Sequence, residues 1–97
     1  MKVPRRKERA EVLGKATVRT ARGTRVEVDI LDLSEIGCRI ASPGQRFEVG
    51  EPLTLKIDQL GPFEGEVKWV ENRQAGLEFK LDMYGPVWEH LREKLAR

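Results

Sequence analysis

The chain alternates apolar and polar residues with a period of two, and this pattern limits the folds that it can adopt. After the first ten residues, apolar or small side chains recur at every second position in six short segments. These segments run through residues 12–19, 26–30, 36–40, 53–57, 63–69 and 77–81. Because successive side chains of a strand point to opposite faces, the pattern predicts six β-strands, each with one buried face. The pieces between them contain Gly, Pro or Asn, which are typical of turns.

The spacing of the six segments predicts how the strands pair. No helical segment separates them, which favours antiparallel pairing over βαβ units. In a chain of 97 residues, a flat six-stranded sheet would leave its apolar face and both of its edges uncovered. We therefore predict an all-β fold with a C-terminal helix, in which six antiparallel strands close into a small barrel.

The periodicity changes near the end of the chain. Pro86 suits the first position of a helix. The apolar residues that follow share one helical face: Val87, Trp88, Leu91 and Leu95. The sequence thus predicts a helix over about residues 86–96 that packs against the barrel. We interpret residues 11–97 as one barrel domain and residues 1–10 as a flexible, arginine-rich arm.

Charge is distributed unevenly along the chain. Residues 1–25 hold nine Lys or Arg against two acidic residues, whereas residues 26–97 hold nine against fourteen. A basic leading segment on an acidic body favours an anionic partner engaged by the N-terminal segment, and a solvated tail without a partner is the alternative. No apolar run approaches the roughly 18 residues of a membrane span, so we expect a cytoplasmic protein without a membrane partner.

Side chains that usually carry catalysis are scarce. His90 is the only histidine, and no nucleophile stands at a spacing that would place it nearby. Cys38 alternates with Ile36 and Ile40, which predicts a buried and unreactive thiol. One Cys and one His are too few for a structural zinc site. The sequence therefore predicts a protein that is not an enzyme, with no catalytic residues, no metal and no cofactor.

Two polar segments stand apart from the alternating pattern. Arg5 and Arg9 are four residues apart, and a guanidinium can donate two parallel hydrogen bonds to a phosphate or a guanine edge. Asp32 and Ser34 precede Gly37 between two predicted strands, where Gly37 is expected to supply a conformation that other residues resist. This segment is either an ordinary structural turn or a surface that presents a carboxylate and a hydroxyl to a nucleotide.

In this order, the two segments resemble the signature of the PilZ domain. Arg5 and Arg9 match its RxxxR pattern, and Asp32, Ser34 and Gly37 match its DxSxxG pattern. The order of the strands is similar too, and the likeness extends over about residues 5–95. The resemblance implies a six-stranded antiparallel barrel with a C-terminal helix that binds the bacterial second messenger cyclic di-GMP.

The resemblance also implies a role for individual residues. The arginine arm would close over the nucleotide on the barrel surface and contact its phosphates and guanines. The ligand-binding residues that the resemblance implies are Arg5, Arg6, Arg9, Asp32, Ser34 and Gly37. Arg39 would add positive potential, whereas Trp69 lies either near this site or, in phase with Val67, in the core. Such a protein would be a receptor or adaptor that acts on a separate downstream protein.

Two alternatives remain open at this point. One is a PilZ-like barrel that binds no nucleotide and serves as a protein-interaction module. The other is a small barrel that binds single-stranded nucleic acid, which requires aromatic platforms on a basic groove. The aromatic side chains of Phe63, Trp69, Phe79 and Trp88 stand in apolar phase, which disfavours it. We therefore expect cyclic di-GMP and a protein partner, no DNA or RNA, and a monomer or weak dimer.

Overall fold

Residues 8–42 and 44–96, which the computed structural model describes, form a six-stranded barrel and one helix. The elements are β1 (Ala10–Thr20), β2 (Arg25–Leu33), β3 (Gly37–Ala41), β4 (Pro52–Ile57), β5 (Leu60–Glu71), β6 (Gln74–Phe79) and α1 (Gly85–Lys94). The strands close in the order β1-β2-β3-β6-β5-β4, and every neighbouring pair is antiparallel. The predicted all-β barrel with a C-terminal helix is confirmed.

The alternating pattern builds the interior of the barrel. Apolar side chains from all six strands are buried, among them Val18, Ile30, Ile40, Leu55, Val67 and Leu77. Cys38 is buried with them, as its position in the alternation predicts. Burial raises the pKa of the Cys38 thiol well above its usual value, and the nearby carboxylate of Asp32 raises it further. The thiol is therefore neutral, and a neutral buried thiol is a poor nucleophile.

The third strand begins one residue later than the alternation predicts. Ile36 was expected to point inward with Cys38, but its side chain is exposed. The Ile36 N–H donates to the Ser34 hydroxyl oxygen (3.2 Å), so Ile36 belongs to the turn between β2 and β3. Strand pairing with β6 then begins at Gly37.

The last strand is shifted towards the N terminus relative to the prediction. β6 ends at Phe79, and Leu81, which was expected to be in the strand, is 82% exposed. At its other end, β6 begins at Gln74, inside a segment that the composition assigned to a turn. The actual turn needs only Asn72 and Arg73, both with positive φ, which is the geometry of a tight hairpin.

Helix α1 packs against the barrel close to the end of β2. It covers most of the predicted range 86–96, and Trp88 and Leu91 are buried as predicted. The Trp88 indole N–H donates to the Leu33 carbonyl (3.3 Å), which ties the helix to β2. Beyond the helix, the Leu95 carbonyl accepts a hydrogen bond from β1. Within the described residues, no helix combines the length and the apolar character needed to cross a membrane.

Candidate functional site

The turn between β2 and β3 holds three of the predicted site residues. Asp32 and Ser34 are buried at the end of β2, and Gly37 opens β3. The Ser34 N–H donates to the Gly37 carbonyl (2.9 Å), and the Ser34 hydroxyl donates to the same oxygen (3.3 Å). That hydroxyl also accepts a hydrogen bond from Ile36. Ser34 therefore stabilises the turn, and its hydroxyl already donates one hydrogen bond and accepts another.

Gly37 is required by the close approach of two strands. The expectation that it adopts a conformation forbidden to other residues is wrong, because its φ is not positive. Instead, Gly37 lies opposite Glu78 in the β3–β6 pairing. A β-carbon on Gly37 would overlap the Leu77 carbonyl oxygen and lie 3.3 Å from the Glu78 α-carbon. No side chain fits here unless β3 and β6 move apart.

Asp32 is the buried charge of the site. The β2–β3 register shifts between Ile30 and Asp32, and this bulge places the carboxylate opposite Arg39 instead of in the core with Ile30. Its Oδ2 lies 3.0 Å from Arg39 Nε and 3.6 Å from Arg9 Nη1. Its Oδ1 is buried and accepts no hydrogen bond from the described residues. A buried acceptor without a donor is costly, so Asp32 would gain from a donor that a ligand supplies.

Arg39 is a second cation at the site, as the sequence suggests. Its Nε lies close to Asp32, but the N–H does not point at the carboxylate well enough for a hydrogen bond. The contact is therefore an ion pair only. Its Nη1 donates to Gln74 Oε1 on β6 (3.4 Å). The side chain remains one-third exposed, which leaves part of the guanidinium accessible.

Trp69 lies on the outer surface of the barrel and not in the core. The β5–β6 register shifts after the pair Val67–Leu77, so that Trp69 lies opposite Gly76 and Lys68 has no partner on β6. This bulge reverses the phase of β5, and Trp69 is 39% exposed although Val67 is fully buried. Its indole rests on Gly76, where a β-carbon would overlap Nε1. The alternative prediction that Trp69 lies in the core is therefore wrong. Gly76, which leaves room for the indole, is the one sequence feature that could have indicated its position.

Arg39 and Trp69 border one shallow cavity of about 150 Å³. Its lining residues are the cations Arg9, Arg39 and Lys68, the apolar residues Ile36, Trp69 and Leu77, and Gly37, Cys38, Gly76 and Glu78. Small-molecule pockets usually measure about 300–1,000 Å³, so this cavity accommodates only part of a nucleotide-sized ligand. A larger cavity of about 640 Å³ is lined mainly by β1, β4, β5 and β6 and contains none of the predicted site residues.

The structure describes four of the six residues that the resemblance implies. Arg9 and Asp32 are within ion-pair distance, and Ser34 and Gly37 shape the adjoining turn. Arg5 and Arg6 lie outside the described residues, as does the predicted arm up to residue 7. Residues 8 and 9 precede β1, which already begins at Ala10.

Comparisons with known proteins agree with this architecture. The crystal structure of the PilZ domain of CeSA from a cellulose-synthesizing bacterium superimposes with a TM-score of 0.64 and 16% sequence identity. The likeness covers 90% of this chain and 92% of that one, and at this identity it shows the fold alone. No curated protein matches the chain. The PilZ domain family model matches residues 4–97, so the chain belongs to the PilZ domain family, as its two motifs predict.

Proposed function

We propose that this protein is a cyclic di-GMP receptor in which an N-terminal arginine arm closes over a nucleotide on the outer face of the barrel. Cyclic di-GMP binding is the known role of the family to which the chain belongs. The observation that carries the proposal is the environment of Asp32. One of its carboxylate oxygens faces two arginines, and the other is buried and has no hydrogen-bond donor among the described residues.

Guanine offers the chemistry that this environment lacks. Its N–H groups can donate to the unpaired Oδ1 of Asp32, and its O6 and N7 can accept from a guanidinium. The exposed ring of Trp69 provides a surface on which a base can stack. Asp32 lies behind the small cavity, in contact with Arg9 and Arg39, which line it together with Trp69. Two guanidinium groups and an indole around this cavity suit a purine with an adjacent phosphate better than a simple anion.

Arg9 can exchange its protein partner for a ligand at low cost. Its contact with Asp32 is 3.6 Å long, and its side chain is 59% exposed. Such a long contact contributes little, because water screens the exposed guanidinium of Arg9 and its side chain must be ordered, and the buried carboxylate of Asp32 keeps Arg39 as a closer partner. We propose that Arg9, with Arg5 and Arg6 of the arm, contacts the side of the nucleotide that faces away from the barrel. This role divides the chain into an arm of residues 1–10 and a barrel of residues 11–97.

A receptor of this type acts by binding and not by catalysis. Ordering the arm around the ligand would create a surface that a downstream protein could recognise, since a ligand stabilises the conformation that it binds best. The nucleic-acid alternative gains one exposed ring in Trp69. However, Phe79 and Trp88 are buried, and the exposed Tyr84 lines a different cavity from Trp69, so the described residues offer no row of platforms for successive bases.

Calorimetric titration with cyclic di-GMP tests the proposal. Arg5→Ala and Arg9→Ala should each weaken binding about 10- to 100-fold, because each removes charge-assisted hydrogen bonds worth about 1.5–3 kcal/mol. Neither should change the melting temperature, since Arg9 is mostly exposed and Arg5 lies outside the alternating pattern of the core. Arg9→Lys should restore only part of the affinity, because an ammonium lacks the planar fork.

Two controls sharpen the test. Arg25→Ala removes an exposed arginine at the opposite end of β2 and should leave affinity unchanged. A single-stranded oligonucleotide should not compete with cyclic di-GMP. A wild-type protein that shows neither heat nor a melting shift with millimolar cyclic di-GMP would overturn the proposal and favour the protein-interaction module.

A further inference from the structure

Lys68 occupies the same bulge of β5 that exposes Trp69. The pairs on either side are Val67–Leu77 and Trp69–Gly76, so Lys68 is the extra residue of the strand. In a regular strand, only one of two successive side chains points outward. Because of the bulge, both Lys68 and Trp69 line the candidate cavity. Bulges often redirect side chains next to functional sites, and this one places a cation beside a stacking surface.

The present partners of Lys68 hold it only weakly. Its Nζ lies 3.4 Å from Glu66 Oε2 and 3.6 Å from Glu78 Oε1. All three side chains are about half exposed, and such pairs are screened by water. The two carboxylates, Glu66 first, raise the pKa of Lys68, so the ammonium stays charged at neutral pH. A charged and weakly held ammonium at the edge of the cavity can exchange these carboxylates for another anion.

From this arrangement we propose that Lys68 binds a phosphate oxygen of the nucleotide whose base stacks on Trp69. This inference rests on the proposed function and adds a ligand-binding residue outside both sequence motifs. Arg9 and Arg39 share the buried carboxylate of Asp32, whereas the described partners of Lys68 are exposed carboxylates that water can solvate when the ammonium leaves. An ammonium is a compact charge without a fixed direction, which suits a phosphate oxygen approached from the rim.

The alternative role of Lys68 is to screen Glu66 from Glu78. These two residues lie directly opposite each other on β5 and β6, where like charges are unfavourable. A purely screening role predicts that loss of Lys68 lowers stability and leaves ligand affinity unchanged. A ligand-binding role predicts loss of affinity at a temperature where the variant is fully folded. The two roles are therefore separable when melting and titration are measured together.

The experiment titrates cyclic di-GMP into Lys68→Gln, Lys68→Arg and Lys56→Gln at one temperature well below the melting transitions. Lys56→Gln is the matched control, because Lys56 is an exposed lysine of β4 outside the cavity. Lys68→Gln should weaken binding about 5- to 30-fold, the range expected for one charge-assisted contact at a partly exposed site. Lys68→Arg should stay within about threefold of wild type, and Lys56→Gln within about twofold.

A double-mutant cycle tests whether the glutamates act through Lys68. Glu66→Gln combined with Glu78→Gln should tighten binding in the wild-type background, because the ammonium is then free for phosphate. The gain should disappear in the Lys68→Gln background, whereas a general effect of charge would persist there. Equal losses for Lys68→Gln and Lys56→Gln, or no loss for Lys68→Gln, would overturn the inference while the receptor proposal stands. Absence of binding by the wild-type protein would instead overturn the receptor proposal.

Discussion

The substitution Gly37→Ala provides a direct test of how tightly β3 and β6 are held together at the candidate site. The added methyl group would overlap the Leu77 carbonyl oxygen and crowd the Glu78 α-carbon. Both obstacles are backbone atoms, which cannot turn aside as a flexible side chain could. Gly44→Ala is the matched control, because no atom lies within 4 Å of a β-carbon at position 44. Both substitutions reduce the entropy of the unfolded chain by the same amount.

The expected loss of stability follows from overpacking. Extra methyl groups in a well-packed interior lower the free energy of unfolding by about 1–3 kcal/mol. Because the obstacle at Gly37 is rigid backbone, we expect Gly37→Ala to lower it by about 2–3 kcal/mol. For a domain of this size, each kcal/mol lowers the melting temperature by about 4–8 °C, so a decrease of about 8–24 °C is expected. Domains of about 100 residues have a free energy of unfolding of about 5–15 kcal/mol, so Gly37→Ala should still fold at room temperature.

Thermal melts followed by circular dichroism measure this difference. Gly44→Ala should melt within about 2 °C of the wild-type protein or slightly above it. If Gly37→Ala melted together with Gly44→Ala, β3 and β6 could separate freely, and close strand contact would not explain the glycine. A chemical denaturation series should show the same loss with an unchanged dependence on denaturant, because the variant exposes the same surface when it unfolds.

Three further predictions concern other side chains. The pKa of the Cys38 thiol is raised only in the folded protein, so stability should fall by about 1.4 kcal/mol per pH unit above about pH 8.5, where the unfolded thiol ionises. Denaturation at pH 8 and pH 10 would show this loss, and Cys38→Ala should abolish it; a loss retained in the variant would contradict the assignment. Trp69→Ala should weaken cyclic di-GMP binding with a small change in melting temperature, whereas Trp88→Ala should lose about 3–5 kcal/mol of stability, because only Trp88 is buried. Glu8→Gln removes an exposed carboxylate that lies 3.3 Å from Arg92 and places negative charge beside Arg9. The substitution should tighten binding by up to about fivefold. Unchanged affinity in calorimetry would show that the Glu8 carboxylate does not oppose ligand binding.

The number of strands and their closure into a barrel were predictable because they depend on which face of each strand is buried. The prediction failed where the phase of that pattern changes. A bulge adds one residue to one strand of a pair, and every following side chain then points to the opposite face. Trp69 was therefore in phase with Val67 in the sequence but lies on the outer surface of the barrel. The alternation alone could not show where the extra residue stands.

The candidate site was predictable as a motif but not as a geometry. Asp32 and Gly37 were identified from their spacing, yet the reason for Gly37 lies in Leu77, a partner on another strand forty positions later in the chain. A local reading of the sequence assigned the glycine to a turn conformation, because the long-range contact was not visible. Lys68 and Trp69 belong to neither motif, and only the register of β5 against β6 places them at the cavity.

The turn that carries the motif is also the point at which the barrel meets the C-terminal helix. The Ile36 carbonyl accepts from the Phe79 N–H (2.8 Å), and the Glu35 carbonyl accepts from the Met83 N–H (2.6 Å). The Leu33 carbonyl accepts from the indole of Trp88 (3.3 Å). The last residue of β2 and two residues of the turn therefore bind successive parts of the segment that leads from β6 into α1. Because the donor residues Phe79, Met83 and Trp88 are buried, these hydrogen bonds are costly to break, and a displacement of the turn must either move α1 or lose them. A ligand that contacted Asp32, as proposed, would therefore act next to a turn whose position is coupled to that of the helix.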